Sequence, residues 1–250
     1  LLARDKTHDL GGAEKQFRAI LDIDPGDMPA TDALIALYRD KKDFANLVEI
    51  LLRKAPMGVE RGVAVADRNA LYAEAGRIAA DILNKPDQAI EVFETLHALD
   101  PNGDVGLDNL ETLYERTEDW DNLVRIYRDK IGRTGDVTTK KHFASLMGFV
   151  QAEKLESPDD SIATWHQILG WDPNDSDALV QLDALYSQQG DWFNLKETLR
   201  KVQELQLQSG RGEAGWADAQ FRIAKLYENP EQLADVNAAI EAYGALLEKD

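Results

Sequence analysis

The sequence contains no cysteine. That excludes a disulfide framework, a Cys-ligated zinc and a thiol nucleophile. Cations are scarce too: 28 Lys and Arg face 46 Asp and Glu, for a formal net charge of −18. A phosphate-binding surface needs clustered cations, so nucleic acid is excluded as a partner. No apolar run approaches the roughly 20 residues needed to cross a bilayer. Histidine is limited to His8, His97, His142 and His166, and no two of them stand three or four residues apart. A helical metal site needs that spacing, so no metal is expected. The richest glycine stretch, Gly210 to Gly215, has no Lys-Ser/Thr after it and no strand before it. It reads as a loop and not as a phosphate cradle, and no cofactor or catalytic set emerges elsewhere. With 44% apolar and 30% charged residues, the composition is that of an ordinary folded protein.

What is present is a repeat. Ile23-Asp24-Pro25, Leu99-Asp100-Pro101 and Trp171-Asp172-Pro173 share one pattern, at steps of 76 and 72 residues. The same steps separate Asp43-Phe44-Ala45-Asn46-Leu47, Asp119-Trp120-Asp121-Asn122-Leu123 and Asp191-Trp192-Phe193-Asn194-Leu195. They separate Leu37-Tyr38, Leu113-Tyr114 and Leu185-Tyr186 as well. Chance does not hold three markers in constant phase.

Each repeat of about 75 residues reads as four helices. After the Asp-Pro turn, Leu107, Leu110 and Leu113-Tyr114 form an apolar stripe at helical spacing. Asp119 reads as an N-cap, and Trp120, Leu123, Tyr127 and Ile131 form the next stripe. A longer helix from about Thr138 to Leu155 follows the turn cluster at Gly132 to Asp136. Ser157-Pro158 places a capping side chain before a first-turn proline and opens the fourth helix; Asn229-Pro230 gives the same signal later. No segment alternates with period two, so no sheet is expected and about thirteen helices cover the chain. Trp120, Trp165, Trp192 and Phe44 recur at fixed phases and read as inter-helix packing; Trp216 stands apart as the one aromatic suspected of exposure, with packing the preferred reading there too.

This spacing resembles the tetratricopeptide repeat (TPR) family, whose unit is a helix pair of about 34 residues. The family's small residue, aromatic and terminal proline match Ala13, Phe17 and Pro25, then Ala89, Phe93 and Pro101, then Ser161, Trp165 and Pro173, with Ala239 and Tyr243 following. Its Leu and Tyr positions match Leu34 and Tyr38, Leu110 and Tyr114, and Leu182 and Tyr186. Two departures are consistent: the family's tryptophan is replaced by Thr31, Leu107 or Leu179, and its close-approach glycine by Ile35, Glu111 or Asp183. The resemblance implies an all-α, right-handed α-solenoid of stacked antiparallel helix pairs. It implies a single degenerate, bacterial-type array over residues 1–250, expected to be part of a longer one.

In TPR proteins the first helix of each pair lines a concave groove. Carried onto this chain, its outward positions are Asp32, Arg39 and Asp40; Glu74 and Asp81; Asp108, Glu115 and Arg116; and Asp177 and Gln188. The resemblance therefore implies a non-catalytic scaffold that holds a peptide or protein. The largely acidic set suits a partner presenting Lys or Arg, with association weakened by salt. Self-association through the terminal helices is a second expectation, and a bacterial cytoplasm is the expected compartment, with the periplasm as the alternative. An alternative from another class remains: the helical regulatory part of a larger enzyme, or an all-helical toroid using paired carboxylates.

Much of the acidity has a local explanation. Thirteen acids sit at repeat turns or helix starts, among them Asp24, Asp27, Asp43, Asp100, Asp119, Asp172, Asp175 and Asp191. There a carboxylate caps free amides and meets the positive end of the helix dipole. One local excess survives: between Lys154 and Lys196 there is no Lys or Arg, while eight acids fall in that stretch.

Overall fold

The computed structural model describes residues 10–58, 63–208 and 213–248. His8, the glycines at 210 and 212, and Asp250 lie outside them. Among the described residues there are thirteen α-helices and no strand. They are α1 (Leu10–Ile23), α2 (Met28–Lys41), α3 (Phe44–Lys54), α4 (Val65–Arg77), α5 (Pro86–Leu99), α6 (Asp104–Thr117) and α7 (Trp120–Arg133). Then come α8 (Val137–Glu153), α9 (Pro158–Trp171), α10 (Ser176–Gln189), α11 (Trp192–Gln208), α12 (Glu213–Glu228) and α13 (Val236–Leu247). Helix α4 runs into a π-turn at Ile78–Ile82. The chain forms two compact units, residues 1–126 and 127–250, and the division falls within α7.

Within each unit, helices consecutive in sequence pack side by side. Their connections are short, which makes neighbours antiparallel. Each unit is thus an all-α stack of helix pairs, the local arrangement of an α-solenoid. The first helices of the pairs are α2, α4 and α6 in unit 1, and α8, α10 and α12 in unit 2.

The apolar stripes close these stacks. Leu34 and Tyr38 on α2, Leu110 and Tyr114 on α6, and Leu182 and Tyr186 on α10 are all buried. So are Ala89, Phe93 and Leu96 on α5 and Trp165 and Ile168 on α9, the last two at 2% and 0% exposure. Every repeat uses the same phases because each helix pair must bury an equivalent face against its neighbours.

Aspartates begin many of the helices. Asp27, Asp43, Asp119, Asp175 and Asp191 each accept a hydrogen bond from the backbone N–H three residues on, as do Asp136 and Asp235. Two expected caps differ. Ser157 precedes α9, but its hydroxyl donates to the Leu155 carbonyl and makes no cap bond. Asn229-Pro230 does not open a helix: Asn229 caps only the local turn through the Glu231 N–H, and α13 starts behind Asp235. The first helices α2, α6 and α10 all stop at a left-handed residue, Lys42 (φ 53°), Glu118 (φ 57°) and Gly190 (φ 71°).

Close approach between paired helices rests on glycines of the alternate first helices. A side-chain carbon on Gly76 would sit 2.6 Å from the Phe93 ring, and one on Gly148 would sit 2.9 Å from Trp165. The glycine missing at Ile35, Glu111 and Asp183 is therefore supplied by the alternate first helices, α4 and α8. Trp165 is also pinned by polar contacts. Its Nε1–H donates to Ser161 Oγ at 3.1 Å, and Ser161 donates to the Gly148 carbonyl at 2.9 Å.

Candidate functional site

The positions carried over from the family sit on the solvent face of the first helices. Asp32, Arg39 and Asp40 on α2, Asp108, Glu115 and Arg116 on α6, and Asp177 and Gln188 on α10 are exposed. Glu74 on α4 is half-buried, and Asp81 in the π-turn is exposed. These residues share a face because the Leu and Tyr positions of the same helices turn inward at helical spacing.

Several of them are joined by bonds between successive first helices. Arg39 forms a two-pronged pair with Glu74, through Nη2 at 2.6 Å to Oε2 and Nε at 3.1 Å to Oε1. Arg116 donates to the Ala80 carbonyl at 3.4 Å, beside Asp81. In unit 2, Lys141 on α8 bridges Asp172 and the α10 cap Asp175 at 2.6 and 2.5 Å. Arg222 on α12 grips both oxygens of Asp183 on α10 at 2.5 Å. Asp32 is paired with Lys54 of the neighbouring second helix at 2.5 Å. Arg39, Glu74 and Asp32 thus tie helices together, whatever else they do. Asp177 stands exposed in the stretch without cations.

The charge pairs shift their members in the expected directions. The Lys141 ammonium holds the Asp172 carboxyl below the usual carboxylate range, and the two aspartates raise Lys141. The hydrogen bond to Asp183 raises Arg222 above its ordinary value, against the opposing effect of burial. None of these groups is poised near neutrality as a general acid or base would be. Among the described residues no three His, Asp or Glu side chains stand together as a metal-ligating group. No described helix is long and apolar enough to cross a membrane.

A second set of polar contacts follows the repeat and was not legible as motifs. The residue after each second-helix aromatic reaches the tyrosine hydroxyl twenty positions on. Arg18 donates to Tyr38 at 2.9 Å, Tyr114 donates to Glu94 at 2.5 Å, and His166 lies 2.7 Å from the Tyr186 hydroxyl. Arg125 joins the Glu94 pair. The phase is fixed while the residue type changes from Arg to Glu to His, so no pattern of identity marked it. Trp216 is half-buried, whereas Phe149, Phe193 and Phe221 are exposed.

The profile of the tetratricopeptide repeat family matches residues 107–141, which span most of α6, all of α7 and the start of α8. The chain carries the tetratricopeptide repeat. The same markers at steps of 76 and 72 residues extend the TPR pattern to both sides of the matched segment. No curated protein sequence matches the chain significantly.

Solved structures with helical repeats overlap it loosely. The TPR protein YrrB, described as having an unusual peptide-binding site, is 15% identical, with 72% of this chain and 88% of that one covered at a TM-score of 0.39. MamA from Desulfovibrio magneticus RS-1 is 13% identical over 74% and 97%, at 0.39. The C-terminal part of a TPR protein from Cytophaga hutchinsonii is 12% identical over 99% and 93%, at 0.43. A TPR array is in general a protein-interaction scaffold, typically without catalysis of its own.

Proposed function

We propose that this TPR array is a non-catalytic scaffold that holds a protein or peptide along the exposed face of its first helices, with Lys or Arg on the bound segment. The observation that carries this reading is the exposed acids on the first helices of each unit, Asp40, Asp81, Asp108 and Glu115 in unit 1 and Asp177 in unit 2, on helices already held in place by their own ion pairs. A surface preorganised in this way loses little conformational freedom on binding. Acids set against basic side chains speed encounter and suppress acidic competitors.

Peptide phage display on the intact chain tests the reading. Recovered peptides should be enriched in Lys and Arg, and recovery should fall for a variant carrying Asp108→Lys with Asp177→Lys. Peptides without a charge bias, or undiminished recovery on that variant, would overturn it.

A further inference from the structure

Unit 2 presents two half-exposed phenylalanines on alternate first helices. Phe149 on α8 is 44% exposed and Phe221 on α12 is 47% exposed. Each lies at the centre of its helix's solvent face: Thr138, His142 and Glu153 flank Phe149, while Asp218 and Lys225 flank Phe221. Each ring rests edge-on against an aromatic of the second helix of its own pair. Phe149 meets Trp165 at 5.2 Å and Phe221 meets Tyr243 at 6.1 Å between ring centroids. Trp165 and Tyr243 hold the same phase of the repeat, so both phenylalanines have equivalent supports. Edge-to-face packing fixes ring orientation as well as position.

The ion pairs set the level of these rings. Lys141 of α8 meets the α10 cap Asp175. Phe149 lies eight residues beyond Lys141, about 12 Å along the helix at 1.5 Å per residue. The same advance from Asp175 along α10, which runs in the same direction, reaches Asp183 and Ala184. Asp183 in turn is bonded to Arg222 on α12, beside Phe221. Phe149, Ala184 and Phe221 therefore stand side by side across three first helices. Ala184 is exposed, and its side chain is a single methyl group.

We propose that these three residues form a clamp for one large apolar side chain, aromatic or long aliphatic, of a bound segment whose neighbouring residues are Lys or Arg. The partner's charge follows from the surroundings. No Lys or Arg lies between Lys154 and Lys196, Asp177 is exposed two turns before Ala184 on the same face, and Asp218 is exposed one turn before Phe221. The nearby cation Lys225 stands over the Phe221 ring, 5.7 Å from its centroid, and is paired with Glu228 at 2.9 Å. The clamp rests on the groove reading above and adds to it the anchor that charge alone does not provide. Charge steers and excludes, whereas a buried aromatic or aliphatic anchor supplies most of the affinity.

The test uses the full chain and two fluorescein-labelled heptapeptides. Both carry two lysines at each end. The three central residues are alanine-tryptophan-alanine in one and three alanines in the other. By anisotropy at low salt, the tryptophan peptide should bind at least about tenfold more tightly, the scale of burying one large apolar side chain. Ala184→Gln, which fills the space between the rings at an exposed position, should erase that preference while leaving the alanine peptide within about twofold. Phe149→Ala should do the same, with thermal melting of both variants showing that the fold persists. Equal affinity of the two peptides for the unaltered chain, or a preference that survives both substitutions, would overturn the clamp and leave the acidic face standing. Failure of both peptides to bind would overturn the groove and the clamp together.

Discussion

A few single residues decide how closely the helices of this array approach. Gly76 and Gly148 stand 72 residues apart, and each faces the large ring of its partner helix. Alanine would improve helix propensity at either position by about 1 kcal/mol. The ring contact at 2.6 Å outweighs that gain, because overpacking a filled core costs about 1–3 kcal/mol. Gly76→Ala should therefore lower the melting temperature, which differential scanning calorimetry would register; an increase would show that Phe93 can move aside freely. Asp172 gives a second residue-scale expectation. Its carboxyl is held low by Lys141, so its contribution is present above the unfolded value of about 4 and is lost as pH falls through the lower folded value. Asp172→Asn should melt below the unaltered chain at pH 7, and the two melting temperatures should converge as the pH falls below about 4. Parallel curves across that range would show that the Lys141 bridge does not stabilise the fold.

Among the elements, the first helices α2, α6 and α10 share one stop signal with different residues. All three end in the left-handed region, yet only α10 places glycine there. Lys42 and Glu118 bear the steric cost of a β-carbon at positive φ, a cost of roughly 1–2 kcal/mol per residue. Glycine also loses more freedom on folding, so the net gain from replacement is smaller. Glu118→Gly should stabilise the chain by about 0.5–1 kcal/mol in urea unfolding, whereas Gly190→Glu should destabilise it. The phase of this stop was legible, since Leu-Tyr pairs precede it at constant distance. The start of α13 was not. Asn229-Pro230 carries the letters of a helix start, but Asn229 spends its side chain on a local turn and Asp235 takes over the cap. Local signals of this kind compete, and the helix begins where the apolar face can dock.

Across the whole molecule, the net charge of −18 has two consequences of opposite sign. Excess acid repels itself in the folded chain, so moderate salt should leave the melting temperature unchanged or raise it. Binding of a lysine-rich segment on the acidic face should weaken over the same range. Melting and anisotropy measured between about 20 and 300 mM salt would separate the two effects. A fall in stability parallel to the fall in affinity would mean that the internal ion pairs, such as Arg39–Glu74 and Arg222–Asp183, outweigh the general repulsion.

The sequence by itself determined the repeat, its helical character and the residues that build the core. Leu34, Tyr38, Phe93, Trp165 and their counterparts recur at spacings that only stacked helix pairs can bury. It also determined the acid excess, whose capping share appears in bonds such as those of Asp27 and Asp175. Only the tertiary structure decided which outward acids tie helices together and which stay exposed. Glu74 and Asp177 are both outward acids of first helices, but Arg39 is set against half-buried Glu74 while Asp177 stands exposed. Only the tertiary structure could bring Phe149, Ala184 and Phe221 to one level. The steps separating them, 35 and 37 residues, belong to no motif. Their alignment follows from helix rise and from the two ion pairs that set one helix against the next.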